Sequence, residues 1–281
     1  MNAIQVSNLN KRYPGFQLQD VSFALPEGCV LGLMGENGAG KSTTIRLIMN
    51  AARRDSGEIW VLGRNNREQF ESTKQEIGVV LDEASFPQTL NAKQAGKVFS
   101  EIYRKWDAAM YSSLLDRFGL PTNKPFKDFS RGMKMKLALA AALSHNACLL
   151  LLDEATSGLD PVAREEILDI LNDFTREEDH SILISSHILS DLEKICDYIA
   201  FLHQGRLLFC EEKDALMERY ALVKISRAQA ESLPQGATIG IRDTGYGLEV
   251  LMERKQAPRG MEWERASIEQ IMLYMARGNE K

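Results

Sequence analysis

The stretch Gly35-Glu36-Asn37-Gly38-Ala39-Gly40-Lys41-Ser42-Thr43 satisfies the pattern G-x-x-x-x-G-K-[ST] position by position. Glycines at these positions let backbone N–H groups turn inward onto anionic oxygens where side chains would block them, and a helix starting there adds its partial positive charge. Lys41 supplies a point charge for β- and γ-phosphates, and the Ser42 hydroxyl is a ligand for Mg²⁺. The chemistry is therefore the cradling of phosphates. A glycine-rich turn with a solvated lysine would use the same residues, but the flanks decide against it. Cys29 to Met34 reads as a short buried strand and Lys41 to Asn50 as a helix, so the glycines fall where strand becomes helix.

Other candidate groups close apolar runs. Cys148-Leu149-Leu150-Leu151-Leu152 ends in Asp153-Glu154, as expected of a central parallel strand whose carboxyl end carries function. The strand Ile77 to Leu81 ends in Asp82-Glu83, and Ser181 to Ser185 ends in Ser186-His187. Two of these have a plain alternative: Asp153-Glu154 as surface acids, His187 as a helix-capping imidazole.

The elements that must position these groups follow from periodicity. Ile4 to Phe23 alternates like antiparallel strands around a turn at Lys11-Arg12-Tyr13-Pro14-Gly15, where the Tyr13 ring could stack on a purine or be an ordinary turn aromatic. Asp55 to Gly63 predicts a turn and strand. From Thr89 to Ser144 helical spacing takes over, with Phe99, Ile102, Tyr103 and Trp106 on one face and Tyr111, Leu114, Leu115 and Phe118 on the next. A third helix begins after Phe129, with Ser130 as its N-cap. Ser157-Gly158-Leu159-Asp160 turns into a helix opened by Pro161. Tyr198 to His203 and Arg206 to Phe209 form a closing hairpin around Gln204-Gly205. Beyond Tyr220, short strands at 221–225, 238–241 and 248–251 precede a helix from Ser267 to Arg277 that ends at Gly278.

Composition narrows the partners. The 281 residues carry a net charge of −5 with both signs interspersed, so no basic face advertises nucleic acid. The longest apolar run, 137–143, is far short of the roughly 18 residues of a membrane span. Cys29, Cys148, Cys196 and Cys210 lack metal spacing and read as reduced, largely buried thiols. With no charged-then-apolar leader at the start, a cytosolic chain is expected.

With the cradle, Asp153-Glu154, the Ser157 to Asp160 turn and His187 in this order and spacing, the first 215 or so residues resemble the nucleotide-binding subunit of ATP-binding cassette transporters, and bacterial efflux-type subunits in particular. The resemblance implies an α/β fold: a P-loop NTPase core of mostly parallel sheet with an antiparallel β subdomain, an ATPase domain over 1–215, and a helical subdomain at about 89–145. A small α+β extension at 220–281 would follow, either a regulatory or dimer-stabilising module or a packing appendage. It implies ATP and Mg²⁺ as cofactors. Tyr13 would stack on adenine, while Gly35, Asn37, Gly38, Gly40, Lys41, Ser42 and Thr43 would hold the phosphates. Asp153 would orient the metal with Ser42, Glu154 would act as general base, and His187 would bond the γ-phosphate, with Asp160 joining that catalytic set. Ser130 and Gly132 match the cassette signature, which contacts the nucleotide of a second subunit, so a two-fold dimer with ATP at the interface is implied.

The chain departs from the family pattern at several places. Phe129, Arg131 and Met133 replace the usual leucine, first glycine and glutamine of the signature, and Ala155 stands at a usual proline. Asp82 stands where the family has a metal-contacting glutamine, offering a charged oxygen ligand in place of an amide. The resemblance implies a separate integral-membrane permease as partner and a peripheral location on the inner face of the cell membrane, with export as the work done. A soluble cassette ATPase acting on ribosomes is the alternative, disfavoured by a single cassette without long coiled coils.

Overall fold

A computed structural model of the chain describes residues 1–68, 70–82, 86–230, 233, 236–258 and 261–277. Glu83 and Gly278, named above as a strand end and a helix stop, lie outside the described residues. The chain forms two compact units, Met1–Cys210 and Glu211–Lys281.

In the first unit, β1 (Asn2–Tyr13) and β2 (Phe16–Pro26) are the expected antiparallel pair, turning at Pro14-Gly15. Their alternating residues Ile4, Val6, Leu9, Leu18, Val21, Phe23 and Leu25 are all buried, the inward face of a sheet whose other face meets water. Strands β3 (Val30–Gly35), β4 (Ser56–Val61) and β5 (Arg64–Asn65) follow, with α1 (Lys41–Ile48) between β3 and β4. The antiparallel sheet runs β2-β1-β4-β5.

After α2 (Phe70–Thr73) and β6 (Ile77–Val80) come the helices α3 (Ala92–Ile102), α4 (Ala108–Arg117) and α5 (Arg131–Leu143). Each starts on a side-chain cap: Asn91 with Gln94 in a reciprocal box, Asp107, and Ser130. Then β7 (Leu149–Asp153), α6 (Pro161–Phe174), β8 (Ser181–Ser185), α7 (Leu189–Ile195), β9 (Tyr198–His203) and β10 (Arg206–Glu212) complete the core. The second sheet has the order β10-β9-β3-β8-β7-β6 and is parallel from β9 to β6. Leu149, Leu150, Leu151 and Leu152 are all fully buried, as a strand covered on both faces requires. Leu31, Leu33, Leu149, Leu151 and Leu183 join Ile45, Leu47, Ile48 and the inner face of the antiparallel sheet in one hydrophobic cluster. The antiparallel sheet is thereby fixed over the parallel one, with α1 packed in that same cluster.

One expected apolar face is not formed. Helix α3 stops at Ile102, with Tyr103 extended at φ −98° and ψ 122°, so spacing beyond it is no longer helical. Ile102 is exposed, and α3 instead buries Ala92, Ala95 and Gly96. Trp106 returns from the following loop to stack on Phe99, ring centroids 5.8 Å apart.

The second unit contains α8 (Lys213–Arg219), β11 (Tyr220–Ile225), α9 (Arg227–Ala230), β12 (Thr238–Asp243), β13 (Leu248–Glu253), β14 (Trp263–Arg265) and α10 (Ile268–Arg277). Its antiparallel sheet has the order β12-β13-β11-β14 around Val223, Ile225, Val250 and Met252. Helix α10 buries Ile268, Ile271 and Tyr274. Among the described residues, no helix is long and apolar enough to cross a membrane.

Candidate active site

The parallel register aligns the carboxyl ends of β3, β7 and β8: Asp153 pairs with Ser185, and Leu33 pairs with Ser185 on the other side. Side chains just past these ends must share one edge of the sheet, and the loop from Gly35 to Gly40 begins there. Only glycine fits at Gly40, where φ is +113° and an added Cβ would lie 2.6 Å from Leu18 Cδ2 and 2.9 Å from Phe16 Cζ. A Cβ on Gly35 would run into the Leu202 carbonyl. The loop is tied from behind by the hairpin of β9 and β10, whose Gly205 N–H donates to Ala39 O at 3.1 Å. Helix α1 then opens with Lys41, with no acidic residue in its first turn to cancel its positive end.

Lys41 is buried. Its Nζ donates to Gly35 O at 2.7 Å and Glu36 O at 3.3 Å, and lies 3.4 Å from Glu154 Oε1. Ser42 Oγ donates to Asp153 Oδ1 at 3.1 Å, and Ser185 Oγ donates to the same oxygen at 2.6 Å. Ser185 also holds the next residue: its hydroxyl and its carbonyl each accept from Glu154 N at 3.1 Å. That grip keeps Glu154 at φ +53°, a left-handed conformation that a side-chain-bearing residue holds only where its surroundings over-determine it. The result is a nearly buried carboxylate between Lys41 and His187, whose Nδ1 is 2.7 Å from Glu154 Oε2.

These groups border a cleft of about 650 Å³ lined by Gly15, Phe16, Glu36, Asn37, Gly38, Gly40, Lys41, Ser42, Thr43, Asp82, Arg131, Glu154, Ser157 and His187. An N–H-rich loop, a buried ammonium and a helix start suit phosphate; a carboxylate with an imidazole beside it suits proton handling of an attacking water. Ser42 Oγ and Asp153 Oδ1 are hard oxygen donors next to each other, which fits Mg²⁺, an ion that takes one or two protein oxygens and completes its shell with water and phosphate.

The structure brings most of the sequence-derived residues together, though not all. Tyr13 ends β1, 40% exposed with Lys11 Nζ 5.1 Å from its ring centre, and it is Phe16 that lines the cleft. Ser130 caps α5 by accepting from Met133 N at 3.2 Å, and neither it nor Gly132 borders this cleft. Asp160 caps α6, accepting from Ala163 N at 3.0 Å and Val162 N at 3.1 Å; the Ala163 N–H foremost holds its carboxyl below the usual carboxylate range. Asp82 borders the cleft with its Oδ1 2.5 Å from Arg131 Nη2. Sequence reasoning passed over Ser185, which holds both Asp153 and Glu154; its place at the carboxyl end of β8 beside Asp153 was the available signal.

Comparisons with known proteins give the family and the fold. Residues 18–157 match the family described as ABC transporter. The chain is 34% identical over 224 residues to the ABC transporter ATP-binding protein YtrB of Bacillus subtilis (strain 168), covering 79% of this chain and 76% of that one. It is 35% identical over 214 residues to the lantibiotic transport ATP-binding protein SrtF of Streptococcus pyogenes, covering 75% and 91%. A solved structure described as an ATP binding subunit of an ABC transporter superposes with a TM-score of 0.70 at 28% identity, covering 76% of this chain and 91% of that one. The chain belongs to the ABC transporter family, as an ATP-binding ATPase subunit with the cassette fold.

Proposed function

We propose that this ATPase drives export through a separate integral-membrane permease, against whose inner face it sits, and that two cassettes close on ATP held at their interface. The mate is a second copy or a paralogue. The observation that carries the catalytic part is the Lys41, Glu154 and His187 cluster, with ammonium and imidazole on opposite oxygens of one carboxylate. Glu154 takes the proton of the attacking water at its carboxylate; His187, donating from Nδ1, orients that carboxylate. Such base assistance is worth about 10²–10⁴-fold in rate. Lys41 and the N–H groups of Gly35 to Ser42 bind and orient the phosphates, and Thr43 borders them. Ser42 and Asp153 would hold Mg²⁺, which when bound neutralises phosphate charge. Tyr13 offers a half-exposed ring to adenine at the end of β1.

Ser130 and Gly132, at the start of α5 and outside this cleft, would meet the nucleotide of the second cassette, and Asp160, at the turn into α6, would join the catalytic set. Residues 1–215 would form the ATPase domain and 220–281 an accessory module, a division close to that of the compact units Met1–Cys210 and Glu211–Lys281. A role in transport is supported by the relative named for lantibiotic transport, and the outward direction follows the resemblance to efflux-type subunits. The test is purification of the chain from native membranes. A co-purifying multi-span membrane protein that raises ATP turnover on reconstitution is expected; recovery free of any membrane chain, with turnover indifferent to membranes, contradicts the reading.

A further inference from the structure

The cleft wall holds a guanidinium that the reading above does not use. Arg131 is the first residue of α5, and its Nη2 donates to Asp82 Oδ1 at 2.5 Å, joining the start of that helix to the chain just past β6. Both residues border the cleft that contains Lys41 and Glu154. The guanidinium also lies against the turn after β7, where a Cβ on Gly158 would be 3.1 Å from its Nη1. Neither helix stability nor ion pairing explains this placement. A cation at a helix start opposes the macrodipole, and an ion pair whose side chains are 51% and 46% exposed contributes little to the fold. Among the described residues the guanidinium donates to no acceptor but Asp82, which leaves most of its five N–H donors available to an anion.

We infer that Arg131 is a phosphate-binding residue of its own chain's cleft, and that Asp82 holds its guanidinium in place until the terminal phosphate of a nucleoside triphosphate claims it. The inference rests on the ATP-binding reading. A γ-phosphate, with more charge than a half-exposed carboxylate and a geometry that suits the guanidinium fork, outcompetes Asp82 for the same donors. Asp82 and Arg131, which depart from the family pattern separately in sequence, then become one change: the added cation needs a carboxylate to hold it.

The test is a double-mutant cycle in the full chain, titrating a non-hydrolysable ATP analogue and ADP over a range of protein concentrations. Arg131→Gln is expected to weaken analogue binding about tenfold, the loss of a charged hydrogen bond, and to leave ADP binding unchanged. Asp82→Asn is expected to tighten analogue binding, and that gain is expected to vanish in the double variant. If Asp82→Asn instead weakens Mg²⁺-dependent binding equally with and without Arg131, Asp82 acts toward the metal and the inference is overturned. It is also overturned if the two substitutions are additive, or if the Arg131 effect appears only at concentrations where chains associate. Lys41→Ala separates the two levels: if it leaves nucleotide binding intact, the cleft reading itself fails, whereas loss of binding there with an uncoupled pair removes only the inference about Arg131.

Discussion

His187 Nδ1 lies 2.7 Å from Glu154 Oε2, joining residues 33 positions apart across the carboxyl ends of β7 and β8. A carboxylate oxygen only accepts, so the ring nitrogen facing it is the donor of this contact. Removing the ring frees the carboxylate to rotate without removing any phosphate-loop contact. His187→Ala is therefore expected to lower ATP turnover about tenfold to a hundredfold, the scale of a small misplacement of a catalytic group, with ATP affinity little changed. Steady-state turnover with a parallel binding titration checks this; full turnover would remove the imidazole from the machinery.

The phosphate loop should be intolerant at Gly40. An alanine there has to hold φ +113° and push aside both Leu18 and Phe16. Gly40→Ala is expected to cost about 1–3 kcal/mol of stability and to weaken ATP binding. A denaturant melt and a nucleotide titration measure the two effects, and a variant matching the wild type in both would contradict the loop geometry.

Helix α1 is held at its far end by Asn66. Its Nδ2 donates to Leu47 O at 2.8 Å and Ile48 O at 2.9 Å, while its Oδ1 accepts from the buried Arg54 Nη1 at 2.5 Å. Asn66→Ala leaves two carbonyls and a buried guanidinium short of partners, so a loss of about 2–4 kcal/mol is expected in equilibrium unfolding. A loss under about 1 kcal/mol would show that these groups find other partners.

His145 predicts acid sensitivity. It is buried and stacked on Tyr103 with ring centroids 3.9 Å apart; Nδ1 and Nε2 face Ala141 O at 3.2 Å and Ile77 O at 3.1 Å. Burial pushes its pKa below the ordinary 6.5, outweighing the two carbonyls that favour the protonated ring. The unfolded chain thus binds the proton more readily. This contribution is complete above the ordinary value and is lost as pH falls from there through the lowered native value. Melting temperatures from pH 7.5 to 5 should decline less steeply in His145→Gln than in the wild type; parallel curves would refute the assignment.

Much of the site was legible because its chemistry is contiguous in the chain. The loop from Gly35 to Thr43 is one segment, and Asp153-Glu154 ends an apolar run that could only be a buried strand. Contacts made by folding were less legible. Asp82 and Arg131 are 49 positions apart, and no local pattern pairs them. Tyr13 drew notice as the aromatic before a turn, but the β-hairpin turns Phe16 toward the phosphate loop. The α3 face failed because periodicity says nothing about where a helix stops, and here it stops before Tyr103 and Trp106. In the second unit, α8 and β14 are short elements set by packing and pairing more than by pattern.

The proposed base for ATP hydrolysis is Glu154, held in a left-handed backbone between Lys41 and His187. Glu154→Gln keeps the shape and removes the basic oxygen. Single-turnover hydrolysis of bound ATP by this variant, measured beside its ATP affinity, tests the claim most directly. Affinity near the wild-type value with a rate down about 10²–10⁴-fold is the result expected; a rate within about twofold of wild type would contradict it.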